Sequence, residues 1–426
     1  MTTTIRFRRA ALCAAALLPA LAGAQQANPS VRAFGMGNNY TAASKGYETI
    51  AWNPAMLAMA NQPGFSLGGF IVGASGGVGP ITINDLADYS GTTIPKSVRQ
   101  GWVNTLRADG PQTGNIDGGM TILALSWGKF AASVSASGTG AMNLNADAME
   151  TIFLGNADAV AANRTLRPSG SFSASGFVTT ALSWSKATSW KPTGKKDESF
   201  AFGLTGKYVM GMANVSAEDA GSMISKDTLK LRFPVLLSTG SAGSGMGMDL
   251  GAAWHGGNTT LGLTVTNVFN SFGWDAGNIE CSDISATIDA NTTNTNTDEV
   301  ACSSSATLRS RTAAVEEQKF APGIRAGFAW DGKKNWTVTA DVQSQFGDEA
   351  TTILVGPKTS IGVGAEFRGI GFLPLRAGFA AITGGTAIAG GAGLRLGHYE
   401  MNVAMQMRKQ DGVSSTNVMF GLLSFR

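Results

Sequence analysis

Residues 335–345 read Asn-Trp-Thr-Val-Thr-Ala-Asp-Val-Gln-Ser-Gln, and this stretch shows the pattern that decides the fold. Apolar side chains occupy alternate positions, including Trp336, Val338 and Val342, and polar residues fill most of the positions between them. Successive side chains of a strand point to opposite faces, so a period of two predicts a β-strand with one apolar face and one polar face.

The same alternation recurs along the chain, clearly at 360–368 and 398–408 and less regularly at 200–210 and 246–255. A soluble sandwich also alternates, but there the apolar face forms a core. Here charged and glycine residues share the second face, which is typical of a membrane barrel with lipid outside and a polar lumen. The alternation places ten charged residues in that lumen: Lys129, Lys207, Asp249, Arg325, Asp341, Glu366, Arg376, Arg395, Glu400 and Arg408.

Composition supports a barrel. The 426 residues are 43% hydrophobic and 14% charged, with 56 glycines, so the chain is too apolar to be disordered. The long apolar run, residues 10–24, is shorter than the roughly 20 residues that a membrane-spanning helix needs. A closed β-barrel is the other structure that satisfies its backbone inside a bilayer.

The strand pattern predicts an all-β, transmembrane antiparallel barrel of about 14 strands. Short connections alternate with long outer loops, which places both chain ends in the periplasm. The run Leu229–Leu237 is assigned to an outer loop, because counting it as a spanning strand would give an odd number. Helix-like segments at 85–107 and 146–161 fall within these loops. The long outer loops are 75–118, 140–171, 212–244 and 269–321.

The N-terminus has the features of a secretory signal peptide, which we assign to residues 1–24. Three arginines precede an apolar stretch and a small-residue cleavage site at 22–24. Together with the barrel pattern, this signal predicts the outer membrane of a Gram-negative bacterium. Without those arginines the remaining chain carries 29 basic and 29 acidic residues, so no basic surface for nucleic acid is expected.

Two cysteines, Cys281 and Cys302, lie on one polar stretch of the exported chain. A structural disulfide that closes an outer loop is the favoured interpretation, because disulfides persist in exported proteins. A metal pair is the weaker alternative, because His255 and His398 are distant in sequence.

Patterns associated with catalysis are weak, so we expect neither an enzyme, nor a metal site, nor a cofactor. Gly73–Gly77 fits the nucleophile-elbow pattern but has no following helix, and glycine is so frequent that the match is easily accidental. The acids in 289–299 lack the ligand spacing of a calcium loop, so a solvated loop is the better interpretation.

The segment before the first strand does not alternate. It contains Val31-Arg-Ala-Phe-Gly-Met-Gly37, followed by Ala51-Trp-Asn-Pro-Ala-Met-Leu57. This pair of motifs resembles the N-terminus of FadL-like outer-membrane proteins. The resemblance implies a fourteen-stranded barrel with an inward-folded N-terminal hatch, and long-chain fatty acids or aromatic hydrocarbons as cargo.

On that resemblance we assign residues 25–62 to a hatch and 63–426 to the barrel. The hatch motif comprises Gly35, Gly37, Trp52, Asn53 and Pro54. Glycine permits close backbone packing, and proline disfavours helix at the residue before it. Two roles remain open for the Trp-Asn-Pro turn, which either anchors the hatch to the wall or gates the lumen.

The sequence therefore predicts an outer-membrane barrel that passes or binds small hydrophobic molecules, fatty-acid or hydrocarbon-like, through a plugged lumen. The expected partners are the lipid bilayer, a small hydrophobic ligand and the barrel assembly machinery, which recognises a terminal aromatic such as Phe425. The alternative is a barrel that transports nothing and serves as a scaffold or secretion partner. A closed lumen without an apolar pocket would favour that alternative.

Overall fold

The computed structural model describes residues 30–289, 293–332, 335–347, 352–354 and 356–426. The predicted signal peptide and the first residues of the predicted hatch lie outside the described residues.

Fourteen antiparallel strands form a closed wall, which confirms the predicted fold class and strand number. Each strand pairs with the next, and the last pairs with the first, where Ile71 lies opposite Gly421. In chain order the strands are β1 Phe65–Gly79, β2 Gln112–Trp127, β3 Phe130–Leu144, β4 Gly170–Thr188, β5 Ser199–Glu218, β6 Thr228–Gly256, β7 Thr259–Asn270, β8 Gly323–Asp331, β9 Trp336–Gln345, β10 Thr359–Phe367, β11 Leu375–Ile382, β12 Gly385–Leu396, β13 Tyr399–Gln410 and β14 Val413–Phe425.

The two faces of the wall differ in chemistry as the alternation predicts. Val338 is 37% exposed and Ile361 is 61% exposed on the outside, where an apolar surface suits lipid. Thr339, between outward neighbours, is fully buried and donates a hydrogen bond to the carbonyl of Asn39 at 2.7 Å. The lumen at this level is therefore filled by the N-terminal segment. Lys129, expected inside the lumen, instead lies exposed in the turn between β2 and β3.

Several strands extend further than their alternation indicates. β2 begins at Gln112 and β6 at Thr228, so both reach well into the predicted loops 75–118 and 212–244. Leu229–Leu237, assigned to a loop, is the first part of β6 and pairs with a hairpin strand that includes Cys281. That assignment was wrong about local structure, although the strand count is unaffected. Lipid lies against one face only within the membrane, so strands that leave it lose the apolar alternation.

The connections at one end of the barrel form a structured outer cap, which we define as the described residues of 80–111, 145–169, 271–322 and 346–358. Each helix-like segment predicted from the sequence, 85–107 and 146–161, is divided into two helices here, and the cap has one further α-helix that was not predicted. The cap elements are the helices Ile83–Ala87, Lys96–Asp109, Ala146–Leu154, Ala157–Ala161 and Ala306–Glu316, and the hairpin Ile279–Asp289 with Thr293–Val300.

An aromatic cluster forms the core of the cap. The rings of Phe272 and Phe320 lie 5.1 Å apart, and Phe320 lies 5.1 Å from Phe177 of β4. The predicted disulfide between Cys281 and Cys302 is present beside this cluster. Phe177 thereby joins the cap core to the barrel wall.

The N-terminal segment, residues 30–62, consists of short turns of helix: Val31–Gly35, Gly46–Glu48, Thr49–Trp52 and Pro54–Ala58. Its residues are mostly buried, and its helices contact strands on opposite sides of the wall. Among the described residues, no helix is both long enough and apolar enough to cross a membrane.

Candidate functional site

The N-terminal segment begins with a capped helix. The Oγ of Ser30 accepts a hydrogen bond from the amide of Ala33 at 2.9 Å, which satisfies a free amide of the first turn. The same hydroxyl donates to Glu48 at 2.7 Å. Ser30 therefore fixes both the start of helix Val31–Gly35 and its position against the later turn.

The Trp-Asn-Pro turn contacts two wall strands. The carbonyl of Trp52 accepts a hydrogen bond from Thr264 on β7 at 3.0 Å. The Asn53 side chain donates to the carbonyl of Ala252 on β6 at 3.0 Å and accepts from the amide of Ala55 at 3.0 Å. These contacts support the anchoring role rather than the gating role for this turn.

Glycines in the wall allow the segment to lie close to the strands. A Cβ added at Gly378 would collide with the backbone of Met36, and one at Gly203 with the backbone that joins Pro54 to Ala55. Gly37 has a φ of 67°, a backbone conformation that glycine adopts easily and residues with a side chain rarely adopt. The wall is thus shaped to the segment at two separate places.

A buried cluster of charges joins the first helix to the wall. Arg32 lies 3.1 Å from Glu366 and 3.2 Å from Glu400, and Arg376 binds the same two carboxylates at 2.9 and 2.7 Å. Burial opposes the charge of Arg32, but these carboxylates and Glu48 outweigh it and raise its pKa above the ordinary value. Arg32 therefore remains charged and binds the same two wall carboxylates as Arg376.

Further contacts hold the middle of the segment. Both carboxylate oxygens of Glu48 have partners. One oxygen accepts a hydrogen bond from the hydroxyl of Tyr40 at 2.9 Å and pairs with Arg426 at 2.7 Å. The other accepts the hydrogen bond from Ser30. Burial, and then the charge of Glu48, raises the pKa of Tyr40, so its phenol stays protonated and donates. Asp341 of β9 accepts the amides of Tyr40 and Thr41, each at 2.8 Å.

Between this segment and the cap lies a cavity of about 360 Å³. Phe34 and Trp52 of the segment line one side, and Ile353 and Leu354 of the cap line the other. Met419 of β14 contributes to its wall side. Apolar side chains from three separate parts of the molecule thus contribute to the lining of the cavity.

The wall also presents polar groups to the cavity, arranged in register across neighbouring strands. Ser75 lies opposite both Asn417 and Asp117, and Asp117 lies opposite Thr139. Ser75 donates to Asn417, and Thr139 donates to Asp117 at 3.1 Å. Ser75 therefore forms part of a row of paired polar side chains.

Two arginines complete the lining, Arg325 on β8 and Arg408 on β13. Arg325 donates to the carbonyl of Ala51 at 3.1 Å, and its guanidinium lies 5.1 Å from the ring centre of Trp52. Arg325 therefore fixes the segment side of the cavity. In the described ranges, no group of three or more His, Cys, Asp or Glu side chains is placed to hold a metal ion.

The sequence motif and the cavity overlap at one residue. Trp52 lines the cavity, whereas Gly35, Gly37, Asn53 and Pro54 contact the wall. The sequence did not identify Phe34 or the cap residues as part of the lining, because their positions show no periodic pattern.

The alternation of apolar and polar residues did predict that Arg325 and Arg408 face the inside of the barrel. Cys281 and Cys302 lie in the cap core, apart from the cavity lining.

A family model described as "F plasmid transfer operon, TraF, protein" matches residues 101–343 of the chain. The match includes much of the cap and ends before the last strands. A comparison with curated protein sequences finds no match.

Solved structures share the barrel fold. The Ralstonia pickettii toluene transporter TbuX is 13% identical, with a TM-score of 0.50 over 96% of this chain and 99% of that one. The P. putida toluene transporter TodX is 11% identical, with a TM-score of 0.53 over 93% and 98%. A TodX deltaS2S3 mutant, described as a monoaromatic hydrocarbon channel, is 13% identical, with a TM-score of 0.54 over 92% and 97%. At these identities the likeness concerns the fold alone, and it agrees with the expected barrel.

Proposed function

The chain belongs to the family described as "F plasmid transfer operon, TraF, protein". For this member we propose, from its plugged barrel and its cavity, that it admits small hydrophobic molecules through an outer membrane. The apolar outer surface of the wall suits a bilayer. In this proposal residues 25–62 are the hatch, and the cap faces the exterior.

The cavity between the N-terminal segment and the cap carries the proposal. Ligand pockets are typically mostly apolar, with a few convergent polar groups, and range from about 300 to 1,000 Å³. This cavity has about 360 Å³, with Phe34, Trp52 and Met419 among its apolar lining. The size suits one small ring or a short chain. The structural likeness to barrels described as toluene transporters supports the same class of ligand.

The path of such a molecule follows from the layers of the structure. It would adsorb to the cap, enter the cavity and leave sideways or inward when the hatch or the wall rearranges. The N-terminal segment makes many contacts with the wall, and inward passage of a ligand from the cavity must break some of them. A ligand is therefore expected to be retained in the cavity until the segment rearranges.

Filling the cavity tests the proposal. We expect Ala51→Phe, a change on the cavity side of the segment, to weaken toluene binding by about tenfold or more in calorimetric titration, equivalent to about 1.4 kcal/mol. Ala60→Phe, at an exposed position of the same segment, is the matched control and should bind like the wild type. Equal binding by both variants, or no saturable binding by the wild type, would contradict the proposal.

The second candidate is a barrel that carries other envelope proteins and transports nothing. The family description, which refers to a transfer operon, and the large cap favour it. This candidate predicts no toluene binding, together with specific cross-linking of the cap hairpin in intact cells. A photoreactive residue at Ile288, which is 44% exposed, is placed to detect such a partner.

A further inference from the structure

Arg408 differs from the other inward-facing arginines. It lies on β13 and lines the cavity, and its Nε is buried without a hydrogen-bond partner. Across the described ranges, its guanidinium forms no hydrogen bond and no ion pair. Arg376, on β11, by contrast binds Glu366, Glu400 and Asn402.

The carboxylate that acts on Arg408 electrostatically is Asp117. Its oxygens are already used, one by Thr139 at 3.1 Å and the other by Asn115 at 3.4 Å. Asp117 thus attracts the guanidinium without satisfying its donors. A partly buried cation without a hydrogen-bonding partner has lost hydration without replacement, and a guanidinium presents a rigid fork that matches a carboxylate.

The cavity is also cationic on balance. Two arginines, Arg325 and Arg408, line it together with one carboxylate, Asp117. Arg325 is occupied by the carbonyl of Ala51 and the ring of Trp52. Among the described residues, Arg408 is therefore the guanidinium at this surface that makes no hydrogen bond.

We propose that the cavity binds a small amphipathic anion, an aromatic or short-chain carboxylate, whose carboxylate docks on Arg408. The apolar part of the ligand lies against Phe34, Trp52 and Met419, which line the same space. The inference rests on the proposed function and narrows its ligand from hydrophobic molecules in general to those with an anionic end. Charge-assisted, bidentate binding gives the site its preference over neutral molecules of equal shape.

The test measures binding of three probes to the detergent-purified, full-length protein by calorimetry: benzoate, its neutral isostere benzamide, and toluene. For the wild type we expect benzoate to bind at least about tenfold more tightly than benzamide, the factor expected when a charge-assisted pair replaces a neutral contact. Arg408→Gln should remove this preference, so that benzoate and benzamide bind to the variant with similar affinity.

Lys409→Gln is the matched control. It removes the same charge one residue along β13, at an exposed position on the opposite face of the strand. We expect it to keep the benzoate preference. Heat-modifiable migration in electrophoresis shows that each variant remains a folded barrel.

The outcomes separate the inference from the function beneath it. Toluene binding without a benzoate preference would overturn the anionic site and leave the proposed function standing. A benzoate preference that survives Arg408→Gln would overturn the assignment to Arg408. Failure of the wild type to bind any of the three probes would overturn both proposals.

Discussion

The N-terminal segment and the outer cap both lie beside the cavity, but they are held in different ways. The segment is attached to the wall by charges and hydrogen bonds, such as those of Arg32 to Glu366 and Glu400. The cap packs around an apolar core that includes Phe272 and Phe320 and that it shares with Phe177 of the wall, and a disulfide lies beside that core. The ion pairs of the segment are therefore made with the wall, whereas the disulfide of the cap joins two parts of the cap.

This difference has a physical reason. A short segment cannot bury enough apolar surface to fold alone, so it depends on partners supplied by the lumen. The cap is longer and can build clusters, including a second one around Ile81, Leu106 and Met149. Disturbance of the lumen charges should therefore release the segment, and disturbance of the cap core should leave the segment in place.

The largest effect is expected at Glu366. Glu366→Ala leaves Arg32 and Arg376 without one of their two shared carboxylates inside the lumen. Loss of one partner from a buried ion pair costs about 3–5 kcal/mol, so we expect a loss of that order in the free energy of unfolding in urea. Tryptic cleavage after Lys45, which is half-buried in the segment, should also increase.

Asp158→Ala is the control for this variant. Asp158 pairs with Lys96 on the exposed surface of the cap, and such pairs contribute about 0–1 kcal/mol. Equal stability losses for the two variants, or unchanged protection of Lys45 in Glu366→Ala, would contradict the view that buried charges hold the segment.

A smaller and local effect is expected in the cap. Replacement of Cys281 and Cys302 by serine removes a cross-link between residues 21 positions apart, and a loop of similar length is stabilised by about 3 kcal/mol. We expect faster tryptic cleavage after Arg309, in the cap helix, because cleavage there needs local unfolding. Protection of Lys45 should not change.

Treatment of the wild-type protein with a reductant provides the matching condition and should reproduce the serine variant. Increased cleavage after Lys45 in either case would show that the cap and the segment unfold together. The contrast between the two regions would then be wrong.

The wall could be predicted from the sequence because lipid and lumen impose opposite requirements on alternate residues. Val338 and Thr339 illustrate this, since one is outward and apolar and the other inward and polar. The signal fades where strands rise above the bilayer, as in Leu229–Leu237, because water is available to both faces there. The strand count survived this error because connection lengths still constrained it.

The cavity could be predicted only in part. Alternation identified Arg325 and Arg408 as inward residues, and the motif identified Trp52. Their partners are distant in sequence: Arg325 contacts Ala51, and Arg32 contacts Glu366 and Glu400. Such pairings follow from the register of a closed barrel and carry no local pattern. For the same reason the lack of a hydrogen-bonding partner at Arg408 could not be anticipated.

The central claim, that the N-terminal segment is structurally part of the wall, is tested most directly by hydrogen exchange of the detergent-purified protein. The amides of Tyr40 and Thr41 are bound by Asp341, and that of Tyr47 by Ser66. We predict that these amides exchange as slowly as those of the wall strands and more slowly than helix Lys96–Asp109 in the cap, because their opening requires release from the barrel. Rapid exchange across residues 38–62 with a protected cap would contradict the account.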